Sequence, residues 1–153
     1  MSIAPIIRSV RVKAAPARAF DVFTTQMAQW WPKGGTLSKS PHVAIVIEPW
    51  PEGRWFEQDA EGRETQWGKV LKWEPPTRLL LGWQISCDWA YDPNLLTEVE
   101  LTFAAADSGG TVVTLEHRNL ERFGSQAAAH AEKLRGGWPS RVTAFAEYAD
   151  ARS

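Results

Sequence analysis

Thr97-Glu98-Val99-Glu100-Leu101-Thr102-Phe103, then Asp107-Ser108-Gly109-Gly110, then Thr111-Val112-Val113-Thr114-Leu115-Glu116-His117-Arg118 is the stretch that decides the fold class. Successive side chains on a strand point to opposite faces, so Val99, Leu101 and Phe103 share a face, as do Val113, Leu115 and His117. Glu98, Glu100, Thr114, Glu116 and Arg118 are left for solvent, so Glu98 and Glu100 do not read as an acid and base pair. Asp107 to Gly110 carry turn chemistry, and strands joined by so short a turn are antiparallel neighbours. The predicted strands, Leu95 to Ala106 and Thr111 to Leu120, form a hairpin with one apolar face that needs a cover.

The same pattern extends upstream. Thr77 to Ser86 places Leu79, Leu81, Trp83 and Ile85 on one apolar face, and further strands are predicted over His42 to Glu48, Gly53 to Asp59 and Glu64 to Glu74. Ala60-Glu61-Gly62 and Pro75-Pro76 supply the turns, so most of the sheet is a meander. The phase is weaker on two of these strands. Trp55 and Glu57 alternate against Arg54, Phe56 and Gln58, and Gln66, Gly68 and Val70 alternate against Trp67, Lys69, Leu71 and Trp73; Trp55, Glu57, Gln66, Gly68 and Val70 are expected inward.

Helices bracket the strands. Ile7 to Lys13 reads as a first strand running into Pro16, a residue suited to the first turn of a helix, and Ala19, Phe20 and Phe23 recur at helical spacing. A second short helix is expected from Thr25 to Trp30-Trp31-Pro32, followed by the loop Lys33-Gly34-Gly35. From about Gly124 to Ala149, Leu134, Trp138, Val142, Phe145 and Ala149 fall on one stripe, the sign of a long C-terminal helix. Gly136-Gly137 and Pro139 predict a kink or break in it, with the stronger half beginning near Pro139.

Composition narrows the function classes. The 153 residues fit a single domain over 1–153, and a net charge of -1 offers no field for polyanions, which argues against nucleic acid. One cysteine, Cys87, permits no internal disulfide, and the alternating N-terminus carries Arg8, Arg11 and Lys13 instead of an apolar run. A cytoplasmic protein without membrane insertion is expected. His42, His117 and His130 show no metal-ligand spacing with Cys87, and there is no Gly-rich phosphate loop or Gly-x-Ser-x-Gly elbow, so neither metal nor cofactor is expected.

The element order, strand, two short helices, six strands, long helix, makes an α+β domain with an antiparallel sheet of six to seven strands. Such a sheet is on the order of 30 Å wide, whereas one helix covers about 10 to 12 Å. The sheet can curl around the helix, but the remaining space has to hold large side chains, water or a ligand. With nine tryptophans in the chain, that space is expected to be lined by indoles.

Several motifs in order carry a family resemblance. Val10-Arg11-Val12, Ala15-Pro16, Phe20-Asp21-Val22-Phe23, Trp30-Trp31-Pro32, Glu52-Gly53-Arg54-Trp55, Gly68-Lys69-Val70-Leu71, Pro75-Pro76-Thr77-Arg78-Leu79, Gly110-Thr111 and Gly137-Trp138 together resemble the SRPBCC (START-like) superfamily. Within it they are most similar to bacterial homologues of the C-terminal domain of the heat shock protein ATPase activator. The resemblance runs from about Ile7 to Tyr148. It implies a helix-grip fold, a curved antiparallel sheet wrapped around the C-terminal helix with an elongated cavity between them. It leaves activity open, because one fold hosts many functions. The eukaryotic activator's N-terminal chaperone-binding domain has no counterpart here, so a co-chaperone role is not expected.

Candidate site residues follow from phase and chemistry. Trp30, Trp31, Trp83, Trp89 and Trp138 read either as pocket walls and lids or as ordinary core. Trp55, Gln66, Ile85, Val99, Leu101, Phe103 and Leu115 from the sheet, with Val142 and Phe145 from the helix, complete the expected ligand-binding face. His117 points inward, where it either moves a proton or is a strand-end histidine satisfied by neighbours. Glu57 is its candidate partner if inward and a solvated strand charge if outward. Asp88-Trp89-Ala90-Tyr91-Asp92-Pro93 reads as a gating loop or a surface turn.

Three functions compete on this reading. The leading one is a non-enzymatic protein, monomer or homodimer, that binds a small hydrophobic or amphipathic molecule between sheet and helix. The second is a cofactor-independent cyclase- or hydrolase-like enzyme using His117 as acid and base. The third is a stress-response protein-interaction module, which would need an exposed apolar patch.

Overall fold

A computed structural model describes residues 3–152. β1 (Ile6–Val12) leads into α1 (Pro16–Thr25) and α2 (Met27–Trp30). Six strands follow: β2 (His42–Ile47), β3 (Arg54–Asp59), β4 (Glu64–Glu74), β5 (Arg78–Trp83), β6 (Thr97–Ala105) and β7 (Thr111–Arg118). A 3-10 turn at Leu120–Phe123 precedes α3 (Ala127–Ala151). The seven strands form one antiparallel sheet in the order β1-β7-β6-β5-β4-β3-β2, so β2 to β7 are a meander and β1 closes beside β7. The sheet curls around α3 in a half-barrel, the helix-grip arrangement. Among the described residues, no helix is long and apolar enough to cross a membrane.

The β6–β7 hairpin has the expected phase. Val99 faces His117, Leu101 faces Leu115 and Phe103 faces Val113, all buried. On the outer face Arg118 pairs with Glu98 at 3.0 Å and with Glu100 at 2.8 Å, and Arg78 also binds Glu100, so these carboxylates brace the convex surface.

β4 departs from simple alternation at two β-bulges. Trp55 lies opposite Gly68 but Phe56 lies opposite Gln66, so Trp67 is an extra residue; Val70 lies opposite Leu81 but Lys72 lies opposite Leu80, so Leu71 is another. Each bulge reverses the side-chain phase beyond it. Gln66 is therefore not inward. It shares the outer face with Phe56, half-buried, and its Nε2 donates to the Gly68 carbonyl at 3.0 Å. Trp67 is inside in its place, and Trp73, expected outside, packs edge-on against Phe20 with ring centroids 5.0 Å apart. Gly68 is obligatory at the first bulge, because a Cβ there would sit 1.7 Å from the Gly82 carbonyl oxygen.

α3 is the second departure. No break occurs at Pro139: the helix is continuous for 25 residues. Pro139 and the two glycines cost an isolated helix together roughly 5 kcal/mol. Leu134, Trp138, Val142 and Phe145 are all buried on the concave sheet and contribute about 2 kcal/mol or more each, which outweighs that cost. Tertiary burial thus carries the helix without a break through a sequence that locally favours a stop.

Side chains fill part of the space between the sheet and α3. At one end of the concave face, Phe20, Phe23, Trp30, Phe103 and Phe145 form a dense aromatic cluster with centroid separations of 5.0 to 6.1 Å. Val99, Leu101, Leu115 and Val142 belong to the same buried core. These residues fill the interior, and Trp30, Val99, Leu101, Phe103, Leu115, Val142 and Phe145 line neither lobe of the groove at the other end.

Candidate functional site: a tryptophan-walled groove

Five indoles close on themselves at the other end of the concave face. Trp31 packs on Trp67 (4.9 Å), Trp67 on Trp55 (5.4 Å), Trp55 on Trp83 (5.8 Å), Trp83 on Trp138 (5.5 Å) and Trp138 back on Trp31 (6.2 Å). The members come from the α2 exit, the β4 bulge, β3, β5 and α3, so the circuit ties every layer of this end together. Stacked or edge-on aromatic pairs add about 0.5–1.5 kcal/mol each beyond the area they bury.

A groove opens above this circuit. One lobe, about 300 Å³, is lined by Trp31, Gly34 to Leu37, Trp67, Trp83, Ile85, Trp89 and Arg141. A second, about 170 Å³, shares Trp83, Trp89 and Arg141 and adds Lys133, Leu134, Gly137 and Trp138. Of the expected ligand-binding residues, the structure brings Trp31, Trp83, Ile85, Trp89 and Trp138 together here. Trp55 lies beneath, 1% exposed, as part of the floor.

Glu57 has a different job from the expected one. Fully buried, it accepts hydrogen bonds from the Leu37 amide (2.7 Å), the Ser38 amide (3.0 Å) and Trp67 Nε1 (2.6 Å). One carboxylate thereby fixes both the glycine-rich loop and the bulge indole, two walls of the groove. It makes no contact with His117.

His117 is equally committed. Trp138 Nε1 donates to Nδ1 at 3.1 Å, so Nδ1 carries no proton and Nε2 is the donor to Thr97 Oγ1 at 2.8 Å. Thr97 Oγ1 in turn donates to the Trp83 carbonyl at 3.2 Å. The chain from α3 through His117 to β5 orients two groove indoles. Burial, reinforced by nearby His130, pushes the His117 pKa down to about 3, so the imidazole is neutral. With both nitrogens bonded and no carboxylate beside it, His117 has neither the reach nor the basicity of a general base near neutral pH.

The 86–93 loop overhangs the groove. Ser86 N bonds Ala90 O at 2.8 Å and Trp89 N bonds Ser86 O at 2.9 Å, placing Trp89 at φ 58° in the left-handed region. Its indole is 44% exposed and packs on buried His130, centroids 4.9 Å apart; His130 packs on Phe123 at 4.6 Å. Trp89 is thus a propped, solvent-facing wall.

Sequence reasoning missed Trp67, displaced into the wrong phase by the bulge, and Arg141. Arg141 follows Trp138 by one helical turn at the edge of the apolar stripe, with a glycine four residues before it. That spacing is the signal that could have found it.

No curated protein matches the chain in sequence. Among solved structures, an anthrahydroquino-gamma-pyrone synthase, Txn09, is 36% identical, with a TM-score of 0.68 over 95% of this chain and 97% of that one. The self-sacrificing resistance protein CalC from Micromonospora echinospora is 29% identical, with a TM-score of 0.75 over 98% and 96%. An Aha1 dimer from Colwellia psychrerythraea, 15% identical with a TM-score of 0.65 over 97% of each chain, shares the fold. The family model described as activator of Hsp90 ATPase homolog 1-like protein matches residues 13–150, and the chain belongs to that family and, with it, to the START-like superfamily.

Proposed function

We propose that this protein binds a flat aromatic or amphipathic small molecule in the tryptophan-walled groove. The observation that carries this reading is the open lobe of about 300 Å³ walled by Trp31, Trp67, Trp83 and Trp89. That volume lies at the small end of ligand pockets, and flat indole walls suit a planar guest. The 36% identical relative is a synthase of an anthrahydroquino-gamma-pyrone, a fused-ring product, which supports a ligand of that shape. The walls are held by interactions independent of any guest, Glu57 on one side and the Trp138–His117–Thr97 chain on the other, so little ordering cost attends binding.

Titration with 2-naphthamide, a neutral planar probe, tests the reading by calorimetry and tryptophan quenching. Saturable 1:1 binding, weakened at least about fivefold by Trp89→Ala, is the expected result. No saturable binding of either 2-naphthamide or its carboxylate analogue 2-naphthoate refutes it.

The synthase relative also favours an enzymatic reading. His117 does not supply its acid–base chemistry, for the reasons above, so any reaction in the groove would depend on orienting the substrate and on the cations Arg141 and Lys133 at its wall.

A further inference from the structure

Arg141 is a positioned cation in a groove walled largely by indoles. It lines both lobes, sits mostly out of water, and has no carboxylate within ion-pair distance among the described residues. Arg18, Arg54, Arg78, Arg118 and Arg135, by contrast, each pair with an acid. Burial alone pushes the Arg141 guanidinium below its ordinary pKa, yet arginine stays charged at any physiological pH. A half-buried charge left without a counter-ion costs stability.

The guanidinium is also positioned. Nη1 donates to the Gly137 carbonyl at 3.0 Å, and the group lies over the Trp31 ring, 5.0 Å from its centroid. Two glycines flank it. A Cβ at Gly137 would stand 2.9 Å from Nη1, and one at Gly35 would stand 3.2 Å from Nη2. Gly137, costly in a helix interior, thus clears the space in which the fork rests. One of its five N–H donors is used by protein, leaving the others for a ligand. Beside it, Trp83 walls both lobes at 4% exposure and has a buried Nε1–H with no acceptor. Lys133 adds a second cation to the smaller lobe, and no acidic residue lines either lobe.

We infer that the groove selects planar ligands carrying an anionic oxygen group, a carboxylate or an ionised enol or phenol, and that Arg141 anchors that group while the indoles cover the ring system. This rests on the groove being the binding site. The anion replaces the missing counter-ion and the planar fork meets two oxygens side by side. It also explains a glycine at 137 inside a helix that would otherwise gain from alanine.

The test compares two isosteric probes, 2-naphthoate and 2-naphthamide, by calorimetry at pH 7.5 on the full chain and on Arg141→Gln, Arg141→Lys and Lys133→Gln. Wild type should bind the carboxylate about ten- to a hundredfold more tightly than the amide. That ratio should fall to about twofold or less in R141Q and by a smaller factor in R141K and in K133Q. Equal binding of the two probes by wild type overturns the inference while leaving the groove reading intact. Loss of the ratio in K133Q but not in R141Q overturns the assignment to Arg141. Failure of both probes to bind wild type brings down the groove reading and this inference with it. Should R141Q fail to fold, the wild-type ratio and a shift of the Arg141 Nε resonance on adding 2-naphthoate, absent with the amide, decide the matter.

Discussion

Acidification between pH 6.5 and 5 should destabilise this protein through His117. The imidazole is fully buried, with Nδ1 accepting from Trp138 and Nε2 donating to Thr97, and its folded pKa is about 3 against an ordinary 6.5. The folded state refuses a proton that the unfolded chain accepts, so the unfolded state binds more protons and stability rises with pH across this range. His117's contribution is complete above the unfolded pKa near 6.5 and is lost progressively as pH falls towards 3. Each pH unit is worth about 1.4 kcal/mol per proton, so by pH 5 the loss is about 2 kcal/mol. Carboxylates held low, Glu48 by its hydrogen bonds from Arg54 and Asp59 by Ser38, lose their contribution only at lower pH, which leaves the 5 to 6.5 window to histidine. His130, also depressed by burial, adds to the slope in the same direction. Urea unfolding followed by tryptophan fluorescence at pH 5.0, 5.5, 6.0, 6.5 and 7.5 reads the slope. His117→Gln is less stable at pH 7.5, because a shape-specific bridge is lost, but its curve should be flatter by about one proton. Parallel curves for wild type and H117Q over that window would refute the assignment of a neutral, bridging imidazole.

Other perturbations separate the roles of neighbouring residues. Glu57→Gln puts an amide NH2 against donors that need an acceptor and should cost about 2 to 3 kcal/mol, with hydrogen exchange rising at the Leu37 and Ser38 amides; unchanged exchange there would contradict the anchoring role. Gly68→Ala forces a Cβ onto the Gly82 carbonyl and should cost about 3 kcal/mol in urea unfolding, whereas an alanine tolerated there would disprove the bulge geometry. Gly136→Ala meets nothing within 4 Å and should stabilise by about 0.5 to 1 kcal/mol; Gly137→Ala should gain less, because its methyl displaces Arg141, and equal gains would argue against the cradle.

Strand alternation, turn chemistry and the apolar stripe of the last helix were readable in the linear chain because each is a local periodicity. The β6–β7 phase, the meander and the face of α3 all followed from it, as did the presence of indoles between sheet and helix. Interruptions of periodicity were not readable. A bulge changes which residue faces inward without altering the types of residue around it, so Gln66 and Trp67 exchanged places. Pro139 and its glycines carry a local preference for stopping that only the burial of Trp138, Val142 and Phe145 overrides.

The candidate site divides in the same way. Trp31, Trp83, Ile85, Trp89 and Trp138 were nameable from one dimension because bulky apolar groups on a known face end up in the interior or at its margin. Whether a given one packs or lines open space depends on volumes contributed by segments distant in the chain, and that was settled only when α1, α2 and the phenylalanines filled one end and left the other open. The partners of His117 and Glu57, and the exposure of Arg141 to the groove, likewise lie on other elements. Hydrogen bonds and cavities are relations between such elements, so they come into being with the packed fold.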